Sequence, residues 1–126
     1  MLLNEYLALF RKALEKIEQY GFSDSIEIKE EIRENKQAVL DARVVLIDNS
    51  VLYIKEYIDA RYGIERMSYG YQYQDREGNL IFRYDNAKHR PDLGYEAHKH
   101  LADGSISAAA LPDIFDLVDE ILGYLK

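Results

Sequence analysis

No cysteine occurs among the 126 residues. Disulfides, thiolate metal sites and a cysteine nucleophile are therefore excluded, and the composition suits a reducing compartment. Tryptophan is also missing and proline occurs only twice. No run of about 18 apolar residues exists, so no membrane-spanning helix is expected. The first twenty residues carry charges throughout and lack the three-part pattern of a signal peptide, so the expected location is cytoplasmic. An excess of positive charge is lacking as well. The net charge of -7 argues against broad, non-specific nucleic-acid binding, which comes from neutralising many phosphates. It leaves room for a local basic cleft, or for docking to a basic partner. No repeat, low-complexity tract or long linker divides the chain, so residues 1–126 are expected to form a single α+β domain.

What is present is enough for a core: 48% of the residues are hydrophobic, too many for a disordered chain. Leu3, Tyr6, Leu7, Phe10, Ala13, Leu14 and Ile17 recur at three- and four-residue spacing, which predicts a helix of roughly five turns with one apolar stripe. The polar face mixes both charge signs, so the stripe reads as core packing and not as a membrane-surface face. Gly21 stands where a left-handed stop is expected. Period-two alternation then predicts strands over residues 26–33, 37–47, 51–58, 64–74 and 80–85. In the second of these Leu40, Ala42, Val44 and Leu46 point inward. Val45 and Ile47 on its other face suggest partial cover there too, by a helix or a second subunit. Residues 34–36, 48–50 and 75–79 read as turns. Gly70 sits mid-strand, where it admits the close approach of another group or marks a bulge. Pro112 suits the first position of a final helix, along which Ile114, Leu117, Val118, Ile121, Leu122 and Leu125 form an apolar stripe. The expected fold is α+β: an antiparallel sheet of about five strands in a meander, with one N-terminal and one C-terminal helix packed on it.

Residues 83–100, RYDNAKHRPDLGYEAHKH, stand apart. They hold all three histidines, His89, His98 and His100, and set Arg83, Lys88, Arg90 and Lys99 against Asp85, Asp92 and Glu96. With Pro91 and Gly94 near its middle the segment reads as a loop. Titratable and basic groups gathered beside a sheet form a candidate active site. Metal-independent RNA cleavage needs a base for the 2′-hydroxyl, an acid for the leaving 5′-oxygen and a cation on the phosphate. Histidine suits the proton steps, and the planar fork of arginine suits the phosphate. His89, His98 and His100 are the candidate acid and base. Arg83 is the candidate for the phosphorane charge, together with Lys99, and Asp85 is the candidate orienter of a histidine. Arg90 is a further candidate contact to the substrate. Tyr71 or Tyr73 could stack a base or hydrogen-bond the phosphate. The alternative for these tyrosines is a sheet face packed under a helix. No cofactor is expected. A rival reading is a metal-dependent hydrolase: His98 and His100, two apart on an extended chain, point the same way, and His89 or Asp85 could complete the shell. A third is a non-enzymatic domain whose loop docks a partner or a small anion. Strands apolar on both faces make a homodimer an expectation.

The run YQYQDREGNLIFRYDNAKHRPDLGYEAHKH, residues 71–100, resembles the TumE-type family of small prokaryotic toxin–antitoxin proteins. The likeness lies in the order of a Tyr-rich strand, a short Asp/Gly loop, the LIFRYDNAKH segment and the HKH that follows. Positions matching the family pattern are Arg83, Tyr84, Asp85, Asn86, His89, His98 and His100, which adds Asn86 to the candidate substrate contacts. The resemblance implies the toxin half of a two-gene module with a helix-turn-helix antitoxin as partner, and ribonuclease action on RNA by similarity to other small toxins.

Overall fold

The computed structural model describes residues 1–87 and 97–126. Among these the chain forms α1 (Leu3–Gln19), β1 (Ser23–Arg33), β2 (Gln37–Leu46), β3 (Val51–Asp59), β4 (Glu65–Gln74), β5 (Leu80–Asp85), β6 (His98–Leu101), β7 (Ile106–Ala108) and α2 (Ile114–Leu125). The strands form one antiparallel meander in sequence order, β1 to β7. The α+β meander with a helix at each end agrees with the expectation, but the sheet has seven strands, not about five. The two extra strands are four and three residues long, too short for a period of two to show. The polar His98–Lys99–His100 run also reads as loop until a neighbouring strand pairs with it. Both ends of the expected loop are therefore strand, Arg83 to Asp85 in β5 and His98 to His100 in β6.

Both helices lie on one face of the sheet. The apolar stripe of α1 (Leu7, Phe10, Ala13, Leu14 and Ile17) and that of α2 (Ile114, Leu117, Val118, Ile121 and Leu122) meet the inward residues of β2 to β5 in one buried cluster. Lys16 of α1 joins Asp119 of α2 at 2.7 Å on the rim of this contact. The left-handed stop is at Gly21, with φ of 77°. Pro112 is not the first residue of the last helix as expected. It precedes Asp113, whose Oδ1 accepts the Asp116 N–H at 2.8 Å and caps α2, a role suited to a short acceptor side chain. Nor does a helix cover the second face of β2 among the described residues: Val45 is half-buried there and Ile47, just beyond the strand, is 57% exposed.

One carboxylate lies inside the core. Glu56 follows the alternation of Leu52, Ile54 and Ile58 inward and is fully buried. It accepts hydrogen bonds from the Tyr6 hydroxyl of α1 and the Tyr71 hydroxyl of β4. Burial raises the Glu56 pKa above the ordinary glutamate value, and the two tyrosine bonds and Arg66 only partly offset this. Between the ordinary value and the raised one, the folded chain keeps a proton that the unfolded chain has released. This contribution is therefore fully present below the ordinary value and lost as pH rises through the raised one. Glu56→Gln carries no ionisable group, so its melting temperature relative to wild type is expected to climb with pH across that window. Melting curves from about pH 4 to pH 8 check this, and a gap that stays constant with pH would contradict it.

Candidate active site

The face of the sheet that neither helix covers carries the chemistry. Because side chains alternate, Arg83 and Asp85 share one face of β5, and His98 and His100 share one face of β6. The register sets Arg83 opposite His100 and Asp85 opposite His98. On the other side of β5, β4 sets Gln72 opposite Arg83 and Gly70 opposite Asp85. Four polar side chains from the two ends of the expected loop thus meet on one patch.

Asp85 is the hub of this patch. Its side chain is buried, and Oδ1 lies 2.5 Å from His98 Nε2. The same oxygen accepts the Ala87 backbone N–H at 3.1 Å. Oδ2 accepts from Arg83 Nε at 2.7 Å and lies 3.4 Å from His100 Nε2. Burial pushes the Asp85 carboxyl up, but the Arg83 bond, the Ala87 N–H and the His98 charge outweigh it, and the net pKa is lowered. The carboxylate is therefore charged at neutral pH, which suits an orienter of imidazoles. Both rings turn Nε2 toward Asp85, so a proton on that nitrogen faces the carboxylate. The two rings stand edge to face with centroids 4.9 Å apart. They differ in access: the His98 side chain is fully buried, whereas that of His100 is 21% exposed.

Arg83 lies flat across Gly70. Its Nη1 donates to Gln72 Oε1 at 3.3 Å, and a Cβ built on Gly70 would stand 2.5 Å from Arg83 Nη2. Gly70 keeps register with both neighbours, Lys55 and Asp85, so the glycine admits a close approach and does not mark a bulge. Of the residues not anticipated, Gln72 and Glu56 both follow from alternation alone once the strands are drawn. The pairing of Gln72 with Arg83 does not, because it needs the register.

Three expected contacts lie elsewhere. Lys99 alternates onto the helix-covered face, where Nζ bonds Glu120 of α2 at 2.8 Å and sits 4.6 Å from the Tyr84 ring centroid. It is therefore on the far side of the sheet from the histidines. Tyr71 and Tyr73 are 0% and 1% exposed within the core, the arrangement of a sheet face packed under helices, and their rings are closed to a nucleobase. Asn86 does border the patch, but its amide is engaged in the chain: Oδ1 accepts from Tyr69 N at 3.2 Å and Nδ2 donates to Met67 O at 3.0 Å. His89 and Arg90 lie outside the described residues.

The family model described as Toxin TumE matches residues 10–126. The chain belongs to the TumE toxin family. No curated protein and no solved structure matches it. Membership gives the protein a toxin role and implies an antitoxin partner. The match runs from the middle of α1 to the end of α2, so it takes in the whole sheet and the patch on its open face. No helix of the toxin among the described residues is long and apolar enough to cross a membrane.

Proposed function

We propose that this toxin cleaves RNA in the cytoplasm without a metal ion, using His100 for proton transfer and Arg83 for the phosphate. The observation that carries the reading is the single Asp85 carboxylate shared by His98, His100 and Arg83. His100, the more exposed imidazole, takes the proton of the 2′-hydroxyl. The 2′-oxygen then bonds to phosphorus and the bond from phosphorus to the 5′-oxygen breaks. The proton returns from His100 to the departing 5′-oxygen, leaving a 2′,3′-cyclic phosphate and a free 5′-hydroxyl. Arg83 stabilises the charge on the phosphorane oxygens, and buried His98 positions Asp85 and through it His100. The same proposal takes the partner to be a helix-turn-helix antitoxin and the toxin itself to pair as a homodimer. Sedimentation of each species, alone and mixed, checks both.

One observation favours a second reading. Asp85, His98 and His100 offer ligand atoms that all lie within 4.8 Å of one another, close enough to share an ion. Against it, both carboxylate oxygens already accept N–H donors, one of them from a guanidinium that would repel a divalent cation. The purified toxin is therefore expected to cleave RNA to cyclic-phosphate ends in excess EDTA. Activity that vanishes in EDTA and returns with zinc or manganese would install the metal reading. RNA left intact at stoichiometric toxin, with or without metal, would remove both.

A further inference from the structure

The open face extends well beyond the histidines, and its makeup is unlike the rest of this acidic chain. A groove of about 760 Å³ runs over it from Arg83 and Gly70 toward β2 and β3, bordered by Lys55, Tyr53, Tyr57 and Arg33. Register ties it to the patch. Lys55 of β3 stands in one cross-strand row with Gly70, Asp85 and His98, and Tyr53 in the next row with Gln72, Arg83 and His100. From β6 to β3 is three strand spacings, about 14 Å. The Tyr53 side chain is well exposed for so large a ring, at 38%. The Arg43 guanidinium lies 5.9 Å from the Tyr53 ring centroid, and that of Arg33 lies 6.0 Å from that of Tyr57.

The charge on this groove is closer to balance than the chain's. Arg33, Lys55 and Arg83 border it against Asp41, in a protein of net charge -7. Glu56 borders it too, but its carboxylate is held on the opposite face by Tyr6 and Tyr71. Arg33 is partly offset by Glu31 at 3.3 Å and Arg83 by Asp85 at 2.7 Å, which leaves Lys55, opposite Asp41 in the register, as the lining cation outside these two ion pairs.

We infer that this open-face groove is a track for a single-stranded stretch of RNA, with Tyr53 as a stacking platform and Lys55 as a phosphate contact on the way to Arg83 and His100. Exposed aromatic rings interleaved with cations bind a backbone electrostatically and unpaired bases by stacking, with little demand on sequence. A duplex offers no free base faces to such rings. An added peptide strand would dock at a sheet edge, where N–H and C=O groups are unpaired, and this is a face. The inference rests on the ribonuclease reading for the identity of the polymer.

The test uses the 126-residue toxin carrying His100→Ala, so that bound RNA survives, and a fluorescein-labelled oligoadenylate, single-stranded or annealed to oligouridylate. The single strand is expected to bind and the duplex to bind more weakly. Adding Tyr53→Ala or Lys55→Ala is expected to weaken single-strand binding about tenfold, and Lys55→Ala to lower the salt slope by about 0.7. Tyr20→Ala, at the end of α1, is the control and should change nothing. Equal affinities across these variants, a preference for the duplex, or no RNA binding would overturn the inference. So would a dimer that dissociates on Tyr53→Ala while RNA binding is unmoved. Parallel cleavage assays with His100 restored separate the two readings. Cleavage without dependence on Tyr53 or Lys55 rejects the track alone. Tyr53-dependent binding without cleavage upholds the track and rejects the nuclease.

Discussion

Replacing His100 by alanine is expected to lower RNA cleavage by roughly 10²–10⁴-fold, the usual range for a lost acid–base group, with little change in melting temperature. The structure separates this result from that of its neighbour. His100 is partly exposed and its Nε2 lies 3.4 Å from Asp85 Oδ2, a long contact whose loss leaves Arg83 still paired with that oxygen. His98 has no exposed side-chain surface and lies 2.5 Å from Asp85 Oδ1. His98→Ala would empty a buried site and strip a buried carboxylate of a donor, a loss of about 1–3 kcal/mol or more. It is expected to lower stability and activity together, whereas His100→Ala lowers activity alone. Gel assays of cleavage beside melting curves of both variants make the comparison. A folded His100→Ala protein that cleaves at the wild-type rate would rule out the assigned proton carrier.

The second large effect belongs to Arg83. Removing the group that meets the developing phosphorane charge is expected to cost about 10²–10³-fold in turnover. Arg83→Lys should not restore it, because an ammonium cannot reach both Asp85 and Gln72 as the guanidinium does. Gly70 supplies an independent check without touching the arginine. Gly70→Ala puts a methyl 2.5 Å from the present position of Nη2, too close to be tolerated unmoved. The obstructed atom is the far end of a flexible side chain, so the guanidinium can swing aside at small cost to folding while its direction over the patch is lost. Gly70→Ala is expected to fall toward the activity of Arg83→Ala with melting nearly unchanged, and the double variant to be no worse than Arg83→Ala. That non-additivity is the signature of two residues acting through one group. Losses that simply multiply in the double variant would show that Gly70 acts on something other than the arginine.

The helices and the central strands were open to inspection because their signals are long. Seventeen residues of α1 repeat an apolar stripe often enough to exclude a strand, and β2 alternates over ten residues with a clear inward set. β6 and β7 defeat the same reasoning. A four-residue strand reading His-Lys-His-Leu has no hydrophobic alternation, since its open-face residues are imidazoles and its core-side partner is a lysine. Lys99 departs from the expected grouping for the same cause. A cation beside two histidines suggests a shared site, yet in a strand adjacent residues point to opposite faces, and Lys99 pairs with Glu120 of α2. Tyr71 and Tyr73 were ambiguous because tyrosine serves equally as core and as contact. Only the helices above them removed the choice.

From the residues alone came the class of the fold, the two helix stripes, the meander and the clustering of histidine with arginine. All of these depend on local period or on order along the chain, which composition and spacing carry directly. Folding alone decided that Asp85 lies between two imidazoles and a guanidinium, that Gly70 makes room for that guanidinium, and that both helices pack on the other face of the sheet. Those facts depend on the register between strands and on which face the helices choose. Register and face are set by the joint packing of residues distant along the chain, so no single stretch of sequence contains them.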